Sequence, residues 1–251
     1  MEICSLASGS NGNCYYIGDD SAAVIVDAGI SYTRLRERMY IAGLDEKRIR
    51  AVFVTHEHRD HSGSVRLISK RLGIPAYMTL GTYNRLYKRQ RPADYHTIES
   101  ESLTEVGGIK VYSFAKKHDA IEPVSFRVEI GGHTIGVMTD IGVADVNVCK
   151  NFSLCDAVFL ESNYDPQMLA EGTYADYLKV RVASEIGHLS NEQSSALVRD
   201  FANPSLSHLI ISHISADNNT SEKVHEAFAP FAEKYGITLA SRYECGKVLK
   251  L

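Results

Sequence analysis

Residues 51–61 read Ala51-Val52-Phe53-Val54-Thr55-His56-Glu57-His58-Arg59-Asp60-His61, an apolar β-branched run that breaks into three histidines and two carboxylates. The first half has the character of a fully buried strand. The second half is costly to bury unless a positive charge organises it. Residues 64–72 behind it have helical spacing, so the polar cluster sits on a tight turn at the end of a core strand, where open sheets place binding sites. His56 and His58 fall on one side by alternation, while Asp60 and His61 open the next helix and can point back at the same spot. Nitrogen and oxygen donors converging in this way suit a borderline divalent ion such as zinc, manganese or iron.

The rest of the 251-residue chain is compatible with a sizeable folded unit, being 44% hydrophobic and 23% charged. A net charge of −4 carries no global nucleic-acid signature. It does not exclude a polyanionic substrate, because bound cations add local charge that the count omits. The five cysteines are scattered and never spaced as C-x-x-C, which argues against a disulfide framework or a thiolate zinc site and fits a reducing compartment. The start, Met1-Glu2-Ile3-Cys4, lacks the pattern of a signal peptide, and no segment has the length of a membrane span. A cytoplasmic protein that does not engage membranes is expected.

Strands are predicted at 3–6, 14–17, 23–26, 51–54, 110–114, 125–130, 134–138, 157–160 and 208–211. Helices are predicted from Ser31 to Gly43, from the capping box Ser190-Asn191-Glu192-Gln193 to Phe201, and over 221–235 with a break at Pro230. Mixed strands with helices outside make a layered α/β (α+β) fold, and with no linker-like segment the chain reads as one domain, 1–251. An internal echo points the same way. Val24-Ile25-Val26-Asp27-Ala28-Gly29 resembles Gly136-Val137-Met138-Thr139-Asp140-Ile141-Gly142, and 52–56 resembles 209–213. Two similar sheets facing each other would gather these polar strand ends along one edge; chance similarity of generic strand endings is the competing reading.

His118, Asp140 and His213 each follow a predicted strand, and with the cluster they make five histidines and two aspartates, enough for two metals with one carboxylate shared. The order of His56 to His61, His118, Asp140 and His213 resembles the metallo-β-lactamase superfamily over essentially the whole chain. The resemblance implies a four-layer αββα sandwich with a dinuclear site at one edge. It implies that His56, His58 and His118 hold one ion, that Asp60, His61 and His213 hold the other, and that Asp140 bridges. Asp27 would support the histidine turn from behind. The histidine after Asp60, and aspartate rather than cysteine at 140, turn the resemblance away from antibiotic hydrolysis. Residues 119–139 leave no room for the long arm of the tRNA 3′-processing enzymes, nor is there room after Asp140 for the inserted domain of the RNA-cleaving members.

Glu161 and His188 match a carboxylate–histidine pair of the phosphodiesterase branches, although each alone reads as an ordinary strand-end charge and loop residue. Ser8-Gly9-Ser10-Asn11-Gly12-Asn13-Cys14, His118-Asp119-Ala120, Gly187-His188-Leu189-Ser190-Asn191 and Ser212-His213-Ile214-Ser215 look like the compact bacterial YycJ/WalJ branch. That implies a dinuclear metal-dependent phosphodiesterase, expected to be a 5′→3′ DNA exonuclease linked to repair. A hydroxide shared by two zinc or manganese ions (iron being possible) would attack phosphorus, Asp140 would help hold it, and His188 would protonate the departing oxygen. Ser8, Ser10, Asn11 and Asn13 could offer a phosphate-binding loop, or simply a hairpin turn. From Ser62 to Ala93 there are seven basic residues and no acidic one, with Tyr77, Tyr83 and Tyr87 among them. Lys88, Arg89 and Arg91 could track a phosphate backbone, or belong to a solvated helix face. Other classes stay open: a hydrolase of small esters, lactones or thioesters on the same scaffold, or a non-catalytic DNA-binding regulator.

Overall fold

The computed structural model describes residues 1–251. Two mixed sheets of seven strands face each other. The first contains β1 (Glu2–Ala7), β2 (Cys14–Gly18), β3 (Ala23–Val26), β4 (Ile49–Phe53), β5 (Ala76–Thr79) and β6 (Tyr95–Ile98), and is closed at its far edge by β14 (Leu249–Lys250). The second runs from β7 (Ser102–Val106) through β8 (Ile109–Ala115), β9 (Val124–Ile130), β10 (His133–Met138), β11 (Ala157–Glu161) and β12 (His208–Ser212) to β13 (Gly236–Leu239). The helices are α1 (Tyr32–Ala42), α2 (Arg59–Ser62), α3 (Val65–Leu72), α4 (Leu80–Arg85), α5 (Val146–Phe152), α6 (Pro166–Glu171), α7 (Asp176–Val182), α8 (Asn191–Phe201) and α9 (Ser221–Phe228).

Strand alternation sorts the apolar side chains into three buried layers. Val24, Val26, Ala51 and Phe53 face Phe126, Val128, Val137 and Phe159 between the sheets. The opposite side chains, Ile25, Val52 and Val54, pack under Leu35 and Met39 of α1 and Val65 and Ile68 of α3. On the far side of the second sheet, Val158, Leu160, Leu209 and Ile211 are covered by Phe152, Leu197, Val198, Val224 and Phe228 from α5, α8 and α9. The result is the expected four-layer αββα sandwich, each fully buried large apolar side chain contributing about 1.5–3 kcal/mol.

Local signals act where the sequence places them. Ser31 caps α1, and Gly43 ends it in the left-handed conformation. Ser190 and Gln193 form the reciprocal capping box of α8. The predicted helix 221–235 stops at Phe228 and tightens into a 3-10 turn, Ala229–Phe231, because Pro230 has no N–H to continue it. Five strands escaped the sequence reading: β5, β6, β7, β13 and β14. β6, at the outer rim of its sheet, is mostly solvent-exposed and β14 is two residues long, so neither carries a readable apolar pattern.

One topological fact positions the site. β3, β4 and β5 are mutually parallel, as are β10, β11 and β12. β8 and β10 both run antiparallel to β9 and hence in the same direction as each other. The C-terminal ends of these strands therefore lie along one rim, and the backbone bond from Val124 N to Thr55 O (3.0 Å) laces the two sheets there.

Candidate metal centre

Every histidine and carboxylate named above sits just past one of those strand ends or on a loop folded over them. His56 follows β4, and His58 lies on the turn into α2, which carries Asp60 and His61. His118 follows β8, Asp140 follows β10, Glu161 ends β11, and His213 follows β12. The structure brings all of them together. His56, His58 and His118 form one group of donor atoms, and Asp60, His61 and His213 another. Asp140 stands between them, its Oδ2 lying 3.0 Å from His61 Nε2 and its Oδ1 3.8 Å from His118 Nε2 and 3.5 Å from His213 Nδ1. Asp27, Asp140 and His213 adopt left-handed backbone conformations (φ 66°, 54° and 54°). Such conformations cost free energy for a residue with a Cβ and persist where surrounding contacts hold them.

The imidazoles are oriented from behind. His61 Nδ1 donates to Asp27 Oδ2 at 2.7 Å, and Asp27 Oδ1 in turn accepts from the Thr55 N–H at 2.9 Å. His56 Nδ1 lies 2.9 Å from Thr55 Oγ1, and His118 Nδ1 donates to the Gly187 carbonyl at 3.1 Å. His213 Nδ1 and His188 Nδ1 both donate to Glu161 Oε1, at 2.9 and 2.8 Å. The second Glu161 oxygen accepts the Ile141 and Leu189 N–H groups at 2.8 and 3.1 Å. With one nitrogen of each ring so held, the other faces the shared space; this is how proteins fix metal-binding tautomers.

The donor set fits divalent ions on two counts. His56 Nε2 and His213 Nε2 are buried without a hydrogen-bond partner, a costly state unless something fills it. The donors are imidazole nitrogens and carboxylate oxygens, which suit borderline and hard cations. The electrostatics agree. Burial, reinforced by His61 and Lys116, holds His56 well below the ordinary histidine value. Burial also pushes His118 down to about 4, opposed by Asp140 and assisted by Lys116 and His188. Burial opposes the charging of His213, but Asp140, Asp60 and Glu161 together push it up to about 10. Protons there take the place that a cation would occupy.

Several residues stand elsewhere than the sequence indicated. Ser8 and Asn13 are fully buried and face the ligands rather than a substrate. Asn13 Nδ2 lies 3.0 Å from His61 Nε2, and Ser8 Oγ accepts the His213 N–H at 2.7 Å. Packing of this loop against the ligand turn leaves them no route to solvent. Arg91 is not free to track a phosphate backbone, since it donates to the carbonyls of Asn84 (2.6 Å) and Leu86 (3.2 Å) and lies over the Tyr83 ring. Tyr77 stacks between Phe53 and His96, and Tyr83 stacks on Tyr95, so neither offers an open face. Lys88 is exposed but lines no cleft next to the site.

Two clefts do open beside the ligands. The larger, about 940 Å³, is bordered by His58 and lined by Arg59, Arg85, Arg89 and Tyr87. The smaller, about 490 Å³, is lined by Ser10, Asn11, Ser31, Arg59, Asp60 and Ser64, with no hydrophobic residue. Arg59 and Gly63 belong to both. Two residues next to the ligands had no role assigned from the sequence. Asp119, adjacent to His118, reaches within 3.3 Å of His118 Nε2 and is held by Arg181. Lys116 is buried and donates to the Thr139 carbonyl at 2.7 Å. A Lys two residues before a candidate ligand was the available signal.

The model of the Metallo-beta-lactamase superfamily matches residues 7–149, more than half of the chain and a span that holds every proposed ligand except His213. The chain belongs to this superfamily. It is 30% identical over 247 residues to exodeoxyribonuclease YycJ of Bacillus anthracis, covering 97% of this chain and 94% of that one. Exodeoxyribonuclease WalJ of Streptococcus pneumoniae serotype 2 is 29% identical over 226 residues, covering 88% of this chain and 84% of the relative. Among solved structures, Zn(2+)-bound PqqB from Methylobacterium extorquens superposes with a TM-score of 0.73 over 100% of both chains at 16% identity, a likeness of fold. Family membership and the ligand geometry together make the protein a metal-dependent hydrolase. No helix is long and apolar enough to cross a membrane.

Proposed function

We propose that this hydrolase is a DNA exonuclease with two divalent ions, zinc or manganese, digesting from the 5′ end in the service of DNA repair in the cytoplasm. The observation that carries the reading is the cleft bordered by His58, in which three arginines and one exposed tyrosine converge beside the ligand cluster. Guanidinium groups suit phosphate geometry, and an open aromatic face suits an unpaired base. A small acyl ester would find almost no apolar lining there. The names of the relatives at about 30% identity point to the same substrate class.

In this reading His56, His58 and His118 hold one ion, Asp60, His61 and His213 the other, and Asp140 both. The ions would supply positive charge to the phosphate oxygens and lower the pKa of water. Arg59, Arg85 and Arg89 screen and orient the incoming phosphates, while Ser10 and Asn11 line the polar cleft on the other side of Arg59. Glu161 fixes the His188 ring through Nδ1 and leaves Nε2 to hand a proton to the departing oxygen. Asp27 and Thr55 keep His61 and His56 in register.

The test is digestion of 5′-labelled and internally labelled single-stranded DNA, duplex DNA and RNA by zinc-loaded, manganese-loaded and EDTA-treated protein. Release of short products from the 5′ end of DNA, abolished by EDTA, is expected. Hydrolysis of ester, lactone or thioester panels without nucleolysis would overturn the reading, as would DNA binding with no product under either metal.

A further inference from the structure

Outside the metal centre, two cysteines lie in contact. Cys4 on β1 and Cys245, in the segment leading to β14, have Sγ atoms 3.6 Å apart although 241 positions separate them in sequence. Cys4 is buried and Cys245 half-buried. Both line a cavity of about 360 Å³ that also touches Ile210, Ala240 and Leu249. The turn carrying Cys245 is fixed from below: Arg38 donates to the carbonyls of Arg242 (3.2 Å) and Tyr243 (2.7 Å), and Gly246 N donates to Ser5 O at 2.9 Å. The two thiols share one acceptor, the Gly246 carbonyl, at 3.3 and 3.4 Å. The sulfurs are thus held facing each other, needing to close by only about 1.5 Å to reach bonding distance.

We infer that Cys4 and Cys245 form a modification site that hydrogen peroxide closes into a disulfide. The Cys245 thiolate attacks one peroxide oxygen, giving a sulfenic acid and releasing hydroxide, which takes up a proton to become water. The Cys4 sulfur then attacks the Cys245 sulfur, the S–O bond breaks, and a second water leaves with the Cys4 proton. Two thiols are oxidised and one peroxide is reduced. The Cys4 thiol and, to a smaller degree, the Arg38 guanidinium lower the Cys245 thiol against the effect of burial, favouring attack from the more accessible partner.

The bond would clasp both ends of the chain. β14 pairs with β1 through only two residues, Leu249 and Lys250, so the C-terminal edge of the first sheet is thinly held. The same segment backs the metal centre: Ser241 O accepts the Ser8 N–H at 3.1 Å, and Arg242 Nη2 donates to Ile214 O at 2.9 Å, next to His213. Closing a loop this long removes much of the freedom of the unfolded chain.

The experiment treats full-length, metal-loaded protein with hydrogen peroxide, blocks free thiols with iodoacetamide, and maps peptides without reductant. A Cys4–Cys245 cross-linked peptide is expected, with a rise in Tm on the order of 5–10 °C that dithiothreitol reverses. Cys245→Ser should give neither, with hydrolase activity before peroxide unchanged. Cys4→Ser should stop at a sulfenic acid on Cys245 that dimedone traps. No cross-link, pairing of Cys245 with another cysteine or a second chain, or an unchanged Tm in the cross-linked protein would each overturn the assignment.

Discussion

Asp27 accepts a hydrogen bond from His61 Nδ1 at 2.7 Å, with both side chains completely buried. Asp27 Oδ1 also accepts from Thr55 Oγ1 at 2.9 Å, and Thr55 Oγ1 lies 2.9 Å from His56 Nδ1, so Asp27 acts on the His61 ring directly and on the His56 ring through Thr55. Asp27→Asn would offer an amide N–H or lose the charge that holds the ring, and should weaken metal affinity 10–100-fold. Competition titration with a chelating dye, with circular dichroism to confirm folding, checks this. Affinity equal to the parent protein would show that Asp27 does not orient the ring.

Glu161 and His188 separate two effects. His188→Ala should keep its full metal content and lose about 10²–10⁴ in kcat, the usual worth of a general acid. Glu161→Gln should lose both, because the same oxygen holds His188 and His213. Metal analysis alongside single-turnover rates distinguishes the two variants. Full activity in His188→Ala would remove it from proton transfer.

The arginines of the 62–93 stretch should divide into two kinds. Replacing Arg85 and Arg89 with Ala should weaken DNA binding and reduce the slope of log affinity against log salt by about 0.7 per lost phosphate contact on a single strand. Arg91→Ala should leave that slope alone and instead cost about 1 kcal/mol in urea unfolding, through the lost bonds to Asn84 and Leu86. A salt slope unchanged in Arg85→Ala/Arg89→Ala would take the cleft off the substrate path.

Gly29 is the tightest point between the buried Ser8–Asn13 loop and the ligand turn. A Cβ there would lie 1.7 Å from the Asp60 carbonyl oxygen and 2.7 Å from Asn13 N, where Asn13 N now donates to Asp60 O at 2.7 Å. Gly29→Ala should therefore displace Asp60, emptying one metal position and destabilising the fold by about 1–3 kcal/mol or more. Two ions per chain in the purified variant would contradict this.

The layered fold was legible because buried strands such as β4 and β12 are runs of β-branched and apolar residues, and because Ser31, Gly43 and Ser190 announce helix ends in chemistry that acts locally. The outer strands were not, since β6 and β13 bury little and their pairing is decided by neighbours far along the chain. The echo between Asp27 and Asp140 corresponds to two strand-end aspartates in the same unusual backbone conformation. It is inexact, because β11 intervenes between the strands that carry Asp140 and His213, whereas β3 and β4 are neighbours. The residues that face the cluster could be listed from their place after strands. Which polar residue turns inward could not: Ser8 and Asn13 read as part of a phosphate-binding loop or a hairpin turn, and Arg59, inside the histidine motif, was passed over although it borders both clefts.

Because the strands that end in His56, His118, Asp140 and His213 belong to both sheets and the last follows β12, the full ligand set is assembled only once β12 has joined its sheet. A chain still being synthesised, with residue 213 inside the ribosome, can pair most of its strands and yet assemble no complete site. A metal-dependent hydrolase built this way would thereby stay inert until its own folding is nearly finished.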